Sequence, residues 1–355
     1  CSFILRRGAI QDLRGIFLRL FEKQGSVASN EELESRFHTH PRFAVSNAEF
    51  KQVPGGPVAY WVSEVTRNAF KRFKQIYECS ISEGQNITAD NNTYLRFHWE
   101  VQSNRIETAG KWSFYAKGGP FRRWYGNLDL VVDWSDAARS HYHSHPSARI
   151  IPKYMRFREG ITWTLLTSGA QSFRYLPPAA TFDKVGSSIF FDNRNDLRLC
   201  LAFLNTSVVA HLTKALNATV ALQVDDVRRL PLTPSAISFD YNILARLLRI
   251  SRIDWDAYER SWDFQSLPML AASSEPYPTL ESNYTAWVTQ NRDIIAEMKR
   301  LEEENNRLFI VAYGLQDGLE VRWLPNLRAG TAVFRFERGS THAEIRRQPL
   351  HALHR

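Results

Sequence analysis

Eleven consecutive residues, Lys117-Gly118-Gly119-Pro120-Phe121-Arg122-Arg123-Trp124-Tyr125-Gly126-Asn127, gather three cations, three glycines and a run of aromatic rings. Such a segment suits nucleic acid. Glycines let a backbone approach closely, Lys and Arg bind phosphates or guanine edges, and Trp or Tyr rings stack on exposed bases. The same residue types also suit a tight turn whose rings belong to the core, and the segment alone leaves both readings open. From residue 117 to 174, Lys117, Arg122, Arg123, Arg139, Arg149, Lys153, Arg156, Arg158 and Arg174 face only Asp129, Asp133, Asp136 and Glu159. A polyanion would use that surplus, but a solvated loop also carries one.

Other chemistry is sparse. His141, His143 and His145 alternate, as metal ligands on one strand face would, yet no carboxylate or cysteine stands at ligand spacing and Pro146 follows at once, so a polar loop is expected. His38 and His40, before Pro41, are read the same way. Leu176-Pro177-Pro178-Ala179 holds two prolines without the preceding amide and following ring that grip a flipped adenine. The Gly186-Ser187-Ser188 turn has no G-x-G-x-x-G around it, and the sequence shows no G-x-S-x-G, Walker loop or H-E-x-x-H. The chain alone is therefore expected to lack methyl-transfer and nucleotide-cofactor motifs, with no metal site and no catalytic residue of its own.

The elements that would position these residues follow from pattern. With 355 residues, 44% hydrophobic and 13% aromatic, the chain has the composition of a globular protein of more than one unit. Alternation of Leu128, Leu130, Val132 and Trp134 with Asp129, Val131 and Asp133 predicts a half-buried strand. Further short strands are expected at Thr162 to Thr167, Phe173 to Leu176 and Ser188 to Phe191. Leu197, Leu201, Leu204, Val208, Leu212 and Leu216 mark a helix interrupted near Asn205 and ending near Asn217, followed by a strand over Thr219 to Val224. Helices are also expected at Val62 to Tyr77, Tyr241 to Ile250, Trp255 to Trp262 and Tyr284 to Gly314, with a strand at Cys1 to Arg6 and an amphipathic stretch from Ile10 to Phe21. The fold class is α/β (α+β), followed by a helical region. The expected division is a connector over 1–50, an α/β unit over 51–235, a helical arm over 236–317 and a poorly ordered Arg-rich tail over 318–355.

Net charge of +8 and a pI near 9.4 favour a polyanionic partner, although the last thirty residues hold six arginines against two glutamates and the body is only mildly basic. Cys1, Cys79 and Cys200 are far apart and form no C-x-x-C pair, which fits a reducing, cytoplasmic setting. No apolar run approaches the roughly 20 residues that span a bilayer, so no membrane partner is expected. The sequence opens at Cys1 rather than Met, as a piece of something longer would.

Several segments, taken in order, carry a family likeness. Lys117 to Asn127, Arg158-Glu159-Gly160-Ile161-Thr162-Trp163, Phe182-Asp183 with Gly186-Ser187-Ser188, Phe203-Leu204-Asn205-Thr206 and Leu222-Gln223-Val224-Asp225-Asp226-Val227 resemble the recognition region of BREX adenine-specific DNA methyltransferases. Related segments occur in type IIG restriction-modification enzymes. Gly56 to Trp61, Leu95 to Val101, Ser261-Trp262-Asp263-Phe264 and Glu304 to Ile310 with Tyr313 to Asp317 resemble the same family, so the likeness covers residues 1 to 317. It implies bacterial phage defence, and a longer parent whose N-terminal domain binds S-adenosylmethionine and methylates adenine N6 while a later domain reads the target. This chain resembles the later part only. The implied partners are double-stranded DNA, the missing methyltransferase domain and other phage-defence proteins. The expected DNA contacts are Lys117, Gly118, Gly119, Arg122, Arg123, Trp124, Tyr125, Asn127, Arg158 and Arg174. The alternative is a protein-interaction module that docks a defence partner and makes no DNA contact; a third reading, a divergent enzyme complete in itself, requires S-adenosylmethionine binding by this chain. Gly318 to Arg355 matches nothing in the family and has the composition of a shifted reading frame.

Overall fold

Short aromatic and alternating runs pair here into two small sheets, and the apolar periodic runs cover one of them as helices. The computed structural model describes residues 14–21, 27–217, 219–232, 239–321 and 323. The expected strand at Cys1 to Arg6 and the tail beyond residue 323 lie outside the described residues. The strands are β1 (Arg14–Leu18), β2 (Arg42–Ser46), β3 (Lys74–Gln75), β4 (Ser80–Ile81), β5 (Leu95–Phe97), β6 (Trp112–Ala116), β7 (Leu130–Asp133), β8 (Gly160–Trp163), β9 (Phe173–Leu176), β10 (Ala180–Phe182), β11 (Ser188–Phe191) and β12 (Pro231–Leu232). The α-helices are α1 (Asn30–Thr39), α2 (Asn47–Phe50), α3 (Glu64–Arg72), α4 (Asn91–Tyr94), α5 (Asp136–Ser144), α6 (Arg194–Leu204), α7 (Ser207–Leu216), α8 (Val224–Arg228), α9 (Tyr241–Asp256) and α10 (Leu280–Tyr313). The class is mixed α/β with a helical C-terminal region, as expected.

The first sheet has the order β10-β6-β7-β5, with β10 parallel to β6 and the other pairs antiparallel. The second has the order β4-β11-β8-β9 and is antiparallel throughout. Every residue of β8 and β11 is buried, because both faces of this sheet are covered. On one side Leu176, Phe190 and Met155 meet Ala116, Ala180 and Phe182 of the first sheet. On the other, Ile161, Trp163, Phe173 and Ile189 meet Leu197, Leu201 and Phe203 of α6, Leu247 of α9, and Met298 and Phe309 of α10. A third cluster packs Tyr115, Val132 and Trp134 on Ala138 and Tyr142 of α5. The order of layers is thus α5, first sheet, second sheet, helices, and α9 and α10 share the largest core.

Asn205 shows why the long periodic run breaks. Its side-chain amide accepts from the Phe173 N–H at 3.0 Å and donates to the Phe173 carbonyl at 3.0 Å, completing both backbone groups of a strand residue. The helix stops there, Thr206 caps α7 by accepting from the Val209 N–H, and the two helices are bent by 83°. Among the described residues no single helix is long and apolar enough to cross a membrane. α10 opens on a Thr279 capping box and closes on Gly314 with φ +66, a left-handed end that favours glycine.

The amphipathic stretch from Ile10 to Phe21 contributes β1, which pairs with β2. Three expectations are corrected. The helix after Val62 ends at Arg72, and β3 with a 3-10 turn at Ile76–Glu78 takes the rest. Thr219 to Val224 forms a single bridge from Ala221 to Leu166 rather than a strand. α9 continues through Ile250 to Asp256, so Trp255 belongs to it and the residues up to Trp262 form turns.

Candidate nucleic-acid interface

The glycine-aromatic segment lies along the outer edge of β9. The Trp124 N–H donates to the Phe173 carbonyl at 2.9 Å and the Tyr175 N–H to the Trp124 carbonyl at 2.8 Å, which covers a strand edge that would otherwise be open. Trp124 and Asn127 sit at φ +70 and +60, and Gly126 at +117. A Cβ on Gly126 would stand 2.5 Å from Arg122 Nε and 2.8 Å from the Trp255 ring, so only glycine lets this turn close on α9.

That closure takes the cations inside. Arg122 is 3% exposed; its Nη2 donates to Asp254 Oδ2 at 2.6 Å and to the Ser251 carbonyl at 3.0 Å, and its guanidinium lies over the Trp255 ring. Arg123 Nη1 donates to Glu302 Oε2 at 3.0 Å, and Trp124 Nε1 to Glu302 Oε1 at 2.6 Å. Arg174, 1% exposed, donates to the Arg122 carbonyl at 3.2 Å, and burial together with Arg122 draws its pKa down to about 10. Asn127 donates to the Pro120 carbonyl at 3.0 Å. Arg122, Arg123, Trp124, Asn127 and Arg174, expected as DNA contacts, are interior instead, and Arg122, Arg123 and Trp124 fasten the second sheet to α9 and α10. Fully buried guanidiniums are tolerable where carboxylates meet them, and α9 and α10 bring those carboxylates. Of the two readings left open for the segment, the tight turn with core rings is the one the structure takes at these positions.

The remaining expected contacts divide. Gly118 is buried against Thr164 and Gly119 is exposed at the turn. Half-buried Lys117 donates to Asp183 Oδ2 at 3.1 Å and Asn91 Oδ1 at 3.0 Å. Tyr125 and Arg158 lie at or beside a cleft of about 410 Å³ between α6, α9 and the β9 edge. Tyr125, Tyr175, Arg194, Arg198, Arg249 and Arg252 line this cleft with Glu159 and an apolar floor of Leu197, Leu201, Leu244 and Leu248. Arg158 adjoins Glu159 and donates to Asp192 at 2.8 Å.

Electrostatically the cleft is cationic with polar rings. Arg194 pairs with Glu159 at 3.2 Å, and Arg252 with Asp263 at 3.0 Å, while its guanidinium lies 5.6 Å from the Tyr125 ring centre. Among the described residues Arg198 and Arg249 have no carboxylate partner. Burial raises the Tyr125 pKa, and burial with a hydrogen bond to Glu159 pushes Tyr175 up to about 12, so both phenols stay neutral, the Tyr175 hydroxyl donating to Glu159. Neutral hydroxyls, rings and uncommitted guanidiniums are the groups that hold a phosphate backbone. Sequence reasoning passed over Arg194, Arg198, Arg249 and Arg252. Their spacing, four apart on α6 and three apart on α9, puts each pair on one helix face, and that signal stood beside the apolar one that was read.

The histidine cluster and the serine turn offer no second site. His141 and His143 lie on α5 and His145 is its C-cap, in place of the expected polar loop; Ser135 caps the start of that helix, and His141 stacks on Tyr94 and reaches the Thr88 carbonyl at 3.0 Å. No group of three His, Cys, Asp or Glu suited to a metal occurs among the described residues. A Cβ at Gly186 would stand 2.2 Å from the Ala116 carbonyl oxygen, so this turn is packed shut and does not fit a cradle for S-adenosylmethionine.

No family model matches the chain. It is 30% identical over 343 residues to "Adenine-specific methyltransferase PglX" of Lacticaseibacillus casei (strain Zhang), a match covering 90% of this chain and 28% of that protein. The chain is a relative of the BREX-type adenine-specific methyltransferases. It is also 26% identical over 266 residues to "Adenine-specific methyltransferase BrxX" of Escherichia coli O9:H4 (strain HS), covering 73% of this chain and 21% of that one. The chain thus spans under a third of the length of these methyltransferases.

Proposed function

We propose that this chain is the DNA-recognition part of an adenine-specific methyltransferase of a phage-defence system, with methyl transfer and S-adenosylmethionine binding carried by another part of the longer protein. The observation that carries the reading is the arginine-tyrosine cleft in a chain related to methyltransferases named as adenine-specific. In it, Arg198 and Arg249 take phosphate oxygens, Arg194 and Arg252 add charge at the rim, and Tyr125 supplies a hydroxyl. The buried Arg122 acts one layer below, tying α9, one wall of the cleft, to the sheet edge through Asp254.

Labelling with an arginine-selective dicarbonyl, read by mass spectrometry, tests this. Duplex DNA is expected to protect Arg194, Arg198, Arg249 and Arg252, while Arg122, Arg123 and Arg174 stay unlabelled with or without DNA. Equal labelling of the four cleft arginines with and without saturating duplex contradicts the proposal.

A further inference from the structure

A second cavity lies on the opposite flank of α9. The C-terminal half of that helix, the turn at Leu267–Met269 and the first turns of α10 enclose about 510 Å³, a volume within the range of small-ligand pockets. Ile250, Ile253, Ile294 and Ile295 make its wall and Trp287 gives it a ring. Asn291 also lines it: the residue is 8% exposed, and its Nδ2 is buried without a hydrogen-bond partner. A buried amide donor left unmade is costly, and a helix would ordinarily carry an apolar residue at such a position. Arg246 at the mouth is tied to Glu297, whereas Arg249, which lines this cavity and the arginine-tyrosine cleft alike, has no carboxylate partner among the described residues.

We propose that this cavity binds a purine nucleotide. The isoleucines and Trp287 enclose the flat base, Asn291 donates to an acceptor on its edge, as an Asn amide does in reading purines, and Arg249 takes the phosphate from the shared rim. The proposal shares Arg249 with the DNA-recognition reading and no other lining residue, so variants at the unshared residues separate the two.

Calorimetric titration of the chain with adenosine monophosphate, adenosine and inorganic phosphate is the test. The monophosphate is expected to bind saturably below about millimolar concentration and more tightly than adenosine, with phosphate alone weakest. Ile294→Trp, which fills the cavity, and Asn291→Asp, which keeps the shape but turns the donor into an acceptor, are each expected to weaken the monophosphate about ten-fold or more. Should Ile294→Trp lower the melting temperature, Asn291→Asp alone decides. No saturation by the monophosphate, or affinity untouched by Asn291→Asp, overturns the proposal. Arg194→Ala/Arg198→Ala serves as the control: it is expected to leave monophosphate binding intact, so a failure of DNA binding and a failure of this pocket are told apart. Monophosphate binding abolished by that control variant also overturns the assignment to this cavity.

Discussion

Glu302 is 1% exposed and holds both the Arg123 guanidinium and the Trp124 indole N–H. Replacing it with Ala strands a buried cation and a buried donor at once, and breaking such a pair from one side costs about 3–5 kcal/mol. Urea denaturation is expected to show Glu302→Ala unfolding at a much lower midpoint than wild type, whereas Glu304→Ala, which breaks an exposed pair with Arg300, shifts stability by less than about 1 kcal/mol. Equal midpoints for the two variants would remove the structural role assigned to the glycine-aromatic segment. His211 gives a pH dependence of known sign. Burial, aided by Lys214, lowers its pKa from the ordinary 6.5, and Thr66 Oγ1 is 3.0 Å from its Nε2. Between the lowered value and about 6.5 the unfolded chain binds more protons, so the stability contributed by neutral His211 is full above about 6.5 and is lost as pH falls through the folded value. His211→Gln should flatten the fall of the urea midpoint between about pH 7.5 and pH 5; a slope equal to wild type argues against it. At this scale the sequence showed residue types but not their surroundings. The partners of Arg122 and Arg123 lie 132 and 179 residues downstream, a separation that no local pattern encodes.

Elements were more legible, because periodicity reports burial directly. The interruption at Asn205 and the apolar seam of α10 were readable as spacing. What makes Asn205 a break rather than a kink is its pairing with Phe173, and losing that pairing leaves the buried Phe173 N–H unsatisfied, while its carbonyl keeps the Trp124 N–H. Asn205→Ala is expected to cost about 1–3 kcal/mol, measured by denaturant unfolding, and a cost near zero would contradict the bridging role. The histidine run is expected in a polar loop, yet Ser135 followed by Asp136 is a helix-start pair, and that cap makes 136–144 a helix. Arg14–Leu18, legible only as part of an amphipathic stretch, is made a strand by pairing with β2. The buried polar residues Glu302, Asn305 and Asn306 of α10 break the apolar pattern and have their explanation in tertiary contacts: Glu302 holds Arg123 and Trp124, Asn305 donates to the Ala202 carbonyl at 3.0 Å and Asn306 accepts from the Ser207 N–H at 2.7 Å.

Across the whole molecule, two thin sheets are stacked and one is roofed by helices, with buried ion pairs crossing from the sheet edge to the roof. This arrangement takes the cations of the glycine-aromatic segment inside and leaves a second set lining a cleft on the neighbouring helix faces. Composition and net charge signalled a polyanion without locating it, since exposed and buried arginines count alike in a sequence. The salt dependence of duplex binding measures the cleft's role most directly, because each phosphate neutralised contributes about 0.9 to the slope of log affinity against log salt. Comparing the wild-type chain with Arg194→Ala/Arg198→Ala by fluorescence anisotropy, the account predicts weaker binding and a slope shallower by about one, with melting temperature unchanged. A slope identical to wild type, at undiminished affinity, would contradict it.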